Sequence, residues 1–135
     1  MPAPKCLAIV LCESVVEDTR TRNKCLLNTF NRITASSLPL FRKFTLFASF
    51  TDGIGNVPVK IRIKHDDKDV IQDFNGVMEF KTKLMIVDMV VDMHAVFAHE
   101  GWYSMQLLYA GEIVERRLNV VTLGLPESPG LEKPL

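Results

Sequence analysis

The sequence has no apolar run near the roughly eighteen residues that a bilayer-spanning helix needs, so it offers no transmembrane helix. The run from Cys6 to Cys12 behind Lys5 is too short and too poorly flanked by positive charge for a secretion signal. Leu11 also stands before Cys12, where lipoprotein-type processing wants a small residue. Charge of one sign is equally scarce. Sixteen Lys and Arg balance sixteen Asp and Glu, which removes the long-range field used by general binders of nucleic acid or anionic membrane. Cysteine is limited to Cys6, Cys12 and Cys25, an odd number set in or beside apolar runs. That usage reads as buried, reduced thiols and points to a cytoplasmic protein rather than a disulfide-built secreted one. The chain lacks a Gly-x-Ser-x-Gly elbow, and Gly53-x-Gly55 has neither a third glycine nor a helix to follow, which excludes the usual nucleophile turn and phosphate cradle. No window carries a capped helical period.

What is present is apolar residues, 47% of the chain, enough for one core at this length. Their spacing is two. Phe44, Leu46, Ala48 and Phe50 alternate with mostly polar neighbours, Phe47 being the exception. Val57, Val59, Ile61 and Ile63 alternate with Pro58, Lys60, Arg62 and Lys64. Val87, Met89, Val91, Met93 and Ala95 repeat the pattern against Asp88, Asp92 and His94. Tyr103, Met105, Leu107 and Tyr109 do so before an Ala110-Gly111 turn and a return strand with Val114, Leu118 and Val120 inward. The turn formers Asp52 to Asn56 predict a hairpin between the first two of these strands. Leu7 to Val16, apolar on both faces, predicts a central strand paired with Lys24 to Ile33 across a polar turn, and Asp69 to Phe80 predicts one bulged strand or two short ones around Gly76. Seven or eight such strands indicate an all-β protein, an antiparallel β-sandwich with Greek-key connections, over residues 1–122. Residues 123–135, with Pro126, Pro129 and Pro134, read as an irregular tail.

Several features, in order, resemble a bacterial family of short uncharacterised proteins. These are the apolar first strand with trailing Glu17-Asp18, then Leu26-Leu27-Asn28-Thr29-Phe30-Asn31-Arg32-Ile33, then Ser37-Leu38-Pro39, and finally Glu100-Gly101-Trp102-Tyr103 before the last hairpin. The likeness extends to about Val121. It implies an immunoglobulin-like β-sandwich and carries no activity, cofactor or catalytic residue with it.

The chemistry-bearing residues are few. Strand parity puts Asp88, Asp92 and His94 on one face, which is the composition of a small metal or ligand site and also of an ordinary solvent face. His65-Asp66-Asp67-Lys68-Asp69 gathers carboxylates but lacks the central Gly and closing Glu of a calcium loop, so it reads as a turn. Lys60, Arg62 and Lys64 form a basic row, extended by Lys43 if their strands pair. Without aromatic platforms beside it, the row reads as edge protection and not as a nucleic-acid groove. Trp102, the only tryptophan, shares the outward side of Ser104 and Gln106 and is the one candidate partner-binding residue, the alternative being that it caps an end of the sandwich. The expectation is a cytosolic, non-enzymatic protein without cofactor that works by contact with another protein or with itself. A ligand or metal site near Asp88, Asp92 and His94 is the alternative.

Overall fold

A computed structural model describes residues 3–66 and 70–123. Ten strands occupy them: β1 (Lys5–Cys12), β2 (Ser14–Glu17), β3 (Lys24–Leu27), β4 (Arg32–Ala35), β5 (Leu40–Thr51), β6 (Gly55–His65), β7 (Val70–Phe80), β8 (Val87–Phe97), β9 (Gly101–Tyr109) and β10 (Glu112–Thr122). There is no helix among the described residues, and the strand number exceeds the seven or eight that the alternation suggests. The excess comes from β2, β3 and β4, four residues each, too short to show a period of their own.

The strands form a three-stranded sheet in the order β1-β5-β8, a five-stranded sheet in the order β4-β10-β9-β6-β7 and the small hairpin β2-β3. The two larger sheets face each other across one core. Phe44, Leu46, Ala48, Phe50, Met93, Ala95 and Phe97 meet Val59, Ile61, Ile63, Tyr103, Met105, Leu107 and Val120 there, all at most 3% exposed. Aromatic edges lock the sheets together. Phe97 meets Tyr103 at 5.0 Å and 88°, and Phe50 meets Tyr109 at 5.1 Å and 83°, the edge-to-face arrangement that suits opposed ring quadrupoles.

Pairing corrects several expectations. The segment Asp52 to Asn56 does not close a hairpin, because β5 belongs to one sheet and β6 to the other; it is the corner where the chain crosses the core. Lys43 is therefore not beside the Lys60, Arg62, Lys64 row. That row is not edge protection either, since β6 lies between β9 and β7. The stretch Leu7 to Val16 divides in two: β1 is an edge strand paired only with β5, whereas β2 pairs with Lys24–Leu27 across the polar turn as expected. The reason is a break at Glu13, whose N–H donates to the Leu27 carbonyl at 2.9 Å and turns the chain away from β1. The central strand is β5: its outward Thr45 and Ser49 are buried because they donate to Asp92 (3.2 Å) and Asp88 (2.8 Å) of β8.

Other expectations match. β7 is one strand, although its register shift against β6 falls between Ile63 and Lys64, opposite Gln72 and Val70, and not at Gly76, which pairs regularly with Val59. The β9-β10 hairpin runs in unbroken register from Glu112 opposite Tyr109 to Val120 opposite Gly101. Ala110 and Gly111 both take positive φ, 50° and 79°, as a two-residue hairpin turn of the mirror-image type requires. Residues 67–69 of the carboxylate-rich turn and residues 124–135 of the expected tail lie outside the described residues. No helix among the described residues is long and apolar enough to cross a membrane.

Burial pushes the thiols of Cys6 and Cys12 above their ordinary value of 9.0 and the phenols of Tyr103 and Tyr109 above 10.0, with Cys6 and Glu112 adding to the effect at Tyr109. In each case the folded protein holds the proton to a higher pH than the unfolded chain does. The unfolded state therefore binds fewer protons above those ordinary values, and stability falls with rising pH. Urea midpoints are expected to hold through neutral pH and to drop from about pH 9 upward. A midpoint unchanged to about pH 11 would contradict the burial of these groups.

Candidate partner-binding surface around Trp102

Trp102 sits at the start of β9. Its sequence neighbour Tyr103 is buried in the core, so alternation turns the indole out onto the free face of the five-stranded sheet, where it is 48% exposed. Two groups hold its backbone from beneath. Gly101 has φ +126°, and a Cβ there would meet His65 Nε2 at 3.2 Å, so the position needs glycine. The Trp102 carbonyl accepts the Asp66 N–H at 3.0 Å.

From above, the Arg117 guanidinium lies 5.0 Å from the indole centroid while its Nη2 donates to Asp66 Oδ2 at 2.7 Å. Stacking on the ring and pairing with the carboxylate are satisfied together, which the planar guanidinium allows and an ammonium would not. Register then places Arg32 of β4 and Trp102 of β9 on either side of Asn119 of β10. An open recess of about 700 Å³ forms here, bounded by Arg32, Trp102, Glu115, Arg116, Arg117 and Asn119. Glu115 accepts from Gln106 Nε2 at 3.1 Å. Asn119 Oδ1 is buried and accepts no hydrogen bond among the described residues, and Arg62 Nε on β6 is buried and donates none. A buried carbonyl oxygen without a donor is costly to leave so.

A second recess of about 650 Å³ lies farther along the same face, with Pro58, Val77, Leu108 and Ile113 among its walls. Val77 and Ile113 are among the most exposed large apolar residues described. The outer face of the larger sheet thus has an aromatic and arginine-rich end and an apolar end.

Asp88, Asp92 and His94 do share the outer face of the three-stranded sheet, where each is engaged by a neighbour. The Asp88 carboxylate takes Ser49 Oγ and Lys24 Nζ, the latter at 3.4 Å. Asp92 takes Thr45, and the His94 ring packs against Phe41 at 5.9 Å. No cluster of three or more His, Cys, Asp or Glu able to hold a metal occurs among the described residues. The three cysteines are free, yet only Cys12 is buried, whereas Cys6 is half-buried and Cys25 exposed. Cys25 is exposed because β3 is part of the small separate hairpin and not of the core sheet.

Two arrangements escaped the sequence. His65 and His99 come within 5.9 Å of one another beneath the Trp102 backbone, with Tyr103 against His65 at 4.5 Å. His65 Nε2 lies 3.1 Å from the Glu100 carbonyl, which can only accept, so that nitrogen carries the proton. The arginines around Trp102 come from β4 and β10, and no linear spacing relates Arg32 to Arg117.

Fold and surface together define an all-β protein of two facing sheets that presents an aromatic and arginine-lined recess on the larger one. The chain belongs to DUF6941, a family of unknown function whose pattern matches residues 7–121. No curated protein matches the sequence.

Proposed function

We propose that this protein is a non-catalytic contact module, working in the cytoplasm, that joins another protein or a second copy of itself through the surface around Trp102. The observation that carries the reading is the half-exposed indole pinned by Arg117 over the recess. A rigid aromatic beside arginines is the composition of an interface anchor, because its area is large and its loss of side-chain freedom on binding is small. The apolar end at Val77 and Ile113 extends the same face. Burial keeps the Cys6 and Cys12 thiols protonated, which makes them poor nucleophiles and agrees with a role by contact.

The proposal includes an immunoglobulin-like arrangement. Its support is the strand order, in which β1, β5 and β8 stand as A, B and E, and β10, β9 and β6 as G, F and C, with β7 added beside β6. Tyr103, near the start of β9, donates its hydroxyl to the His99 carbonyl at 2.6 Å, the pattern of a tyrosine corner.

The test is a photoreactive phenylalanine analogue in place of Trp102, compared with the same analogue in place of Leu84, which is 94% exposed and away from the surface in question. Irradiation in cells is expected to give one dominant adduct, with a defined protein or with a second copy, from position 102 only. Identical adduct patterns from both positions, or none from either, would remove the reading.

A further inference from the structure

We infer that the partner of this face is a second copy of the chain, docked sheet to sheet about a two-fold axis so that Trp102 of each protomer enters the apolar recess of the other. The inference rests on the contact-module reading and names its partner. Register lays the face out as a grid. Arg32, Asn119 and Trp102 share the cross-strand row at one end. Ile113 with Leu108, and then Pro58 with Val77, form rows toward the other end, about 20 Å farther along β9. A two-fold axis in the plane of contact, midway between these places, exchanges them, so one operation makes both contacts at once.

Each end offers what the other lacks. The first presents a half-exposed indole, with Arg32 two strands away on the β4 side. The second is a recess with apolar walls and with Glu112 on its β10 side. Arg32 and Glu112 are both exposed and form no ion pair among the described residues. The same exchange that seats the indole brings Arg32 of one protomer over Glu112 of the other. Between the ends the face carries both signs, Arg117 and Lys64 in one row and Glu115 and Arg62 in the next. A partner of single charge is repelled by part of such a face, whereas a copy of the face carries both signs in return. The chain's net charge of zero sets up no long-range repulsion between copies. The face measures about 20 Å across its five strands and 35 Å along them, close to the roughly 800 Å² that each partner of a stable complex covers.

The test is sedimentation velocity of the full chain from about 1 to 200 μM, a span that covers ordinary dimer affinities. A monomer–dimer equilibrium is expected. W102A and V77D change exposed side chains, so their urea midpoints are expected to stay near that of the unaltered chain. Each is expected to weaken the dimer about thirtyfold or more. An equimolar mixture of the two is expected to associate more strongly than either alone, because the indole of V77D meets the intact recess of W102A and one of the two contacts returns. R32E and E112R are each expected to weaken the dimer about tenfold, and R32E/E112R to recover it, since reversing both signs restores opposite charges. A monomer throughout the range, a mixture no more associated than its components, or a double reversal no better than the single ones would overturn the inference. A monomeric chain whose position 102 still captures one other protein on irradiation would sink the two-fold pairing alone and leave the contact reading standing.

Discussion

Replacing Tyr103 by alanine is expected to cost about 3–5 kcal/mol, the range for deleting a buried aromatic, and to lower the melting temperature by roughly 10–20 °C. The ring is 1% exposed. It is wedged edge-on between Phe97 at 5.0 Å and His65 at 4.5 Å, so its removal opens a cavity shared by both sheets and by the support under Trp102. Tyr103→Phe separates packing from hydrogen bonding. It keeps the ring and removes only the hydroxyl that donates to the His99 carbonyl at 2.6 Å and accepts the His99 N–H at 3.4 Å. Its expected cost is about 1–2 kcal/mol. Urea unfolding of the two variants checks this. If Tyr103→Phe costs as much as Tyr103→Ala, the hydroxyl and not the ring holds this corner.

Gly53→Ala is the second large effect, expected to destabilise by about 2–3 kcal/mol although it adds one methyl group. A Cβ at this position would fall 2.4 Å from the Phe80 ring, and Phe80 is itself 2% exposed, so the ring has nowhere to go without disturbing β7. The corner is tight because the chain passes here from one sheet to the other, flanked by Asp52 at φ +64° and Gly55 at φ +71°. Gly55→Ala is the control. Nothing lies within 4 Å of its added Cβ, so only the left-handed backbone is penalised and the expected cost is about 1 kcal/mol. Equal urea midpoints for the two variants would show that the contact with Phe80 is not what selects glycine at position 53.

The outward turn of Trp102 was legible because Tyr103, Met105, Leu107 and Tyr109 keep a period of two on the inner side of β9. The hairpin from Tyr109 to Glu112 was legible for a similar reason: turn and strands are contiguous, and the pairing is local. The misreading of Asp52 to Asn56 has the opposite cause. Turn formers between two amphipathic strands look alike whether the strands pair with each other or cross to face each other, since alternation records which side is inward and not which neighbour stands alongside. The assignment of β1 to the centre of a sheet failed for the same reason. Leu7 is exposed on this edge strand, and apolar content on both sides could not reveal that only one partner was present. The Asp88, Asp92 and His94 face was located correctly by parity. What parity could not show is that Ser49, Thr45 and Lys24, distant in sequence, had already taken the carboxylates.

By itself the sequence determined the all-β class, the inward faces of the long strands, the last hairpin and the outward side of Trp102, because each follows from a period of two acting over near neighbours. Tertiary structure alone decided which strands pair, which edges stay open and which arginines surround the indole. Those depend on contacts between residues far apart in the chain, such as Arg32 beside Asn119 and Asp66 beneath Arg117, and no local pattern encodes them.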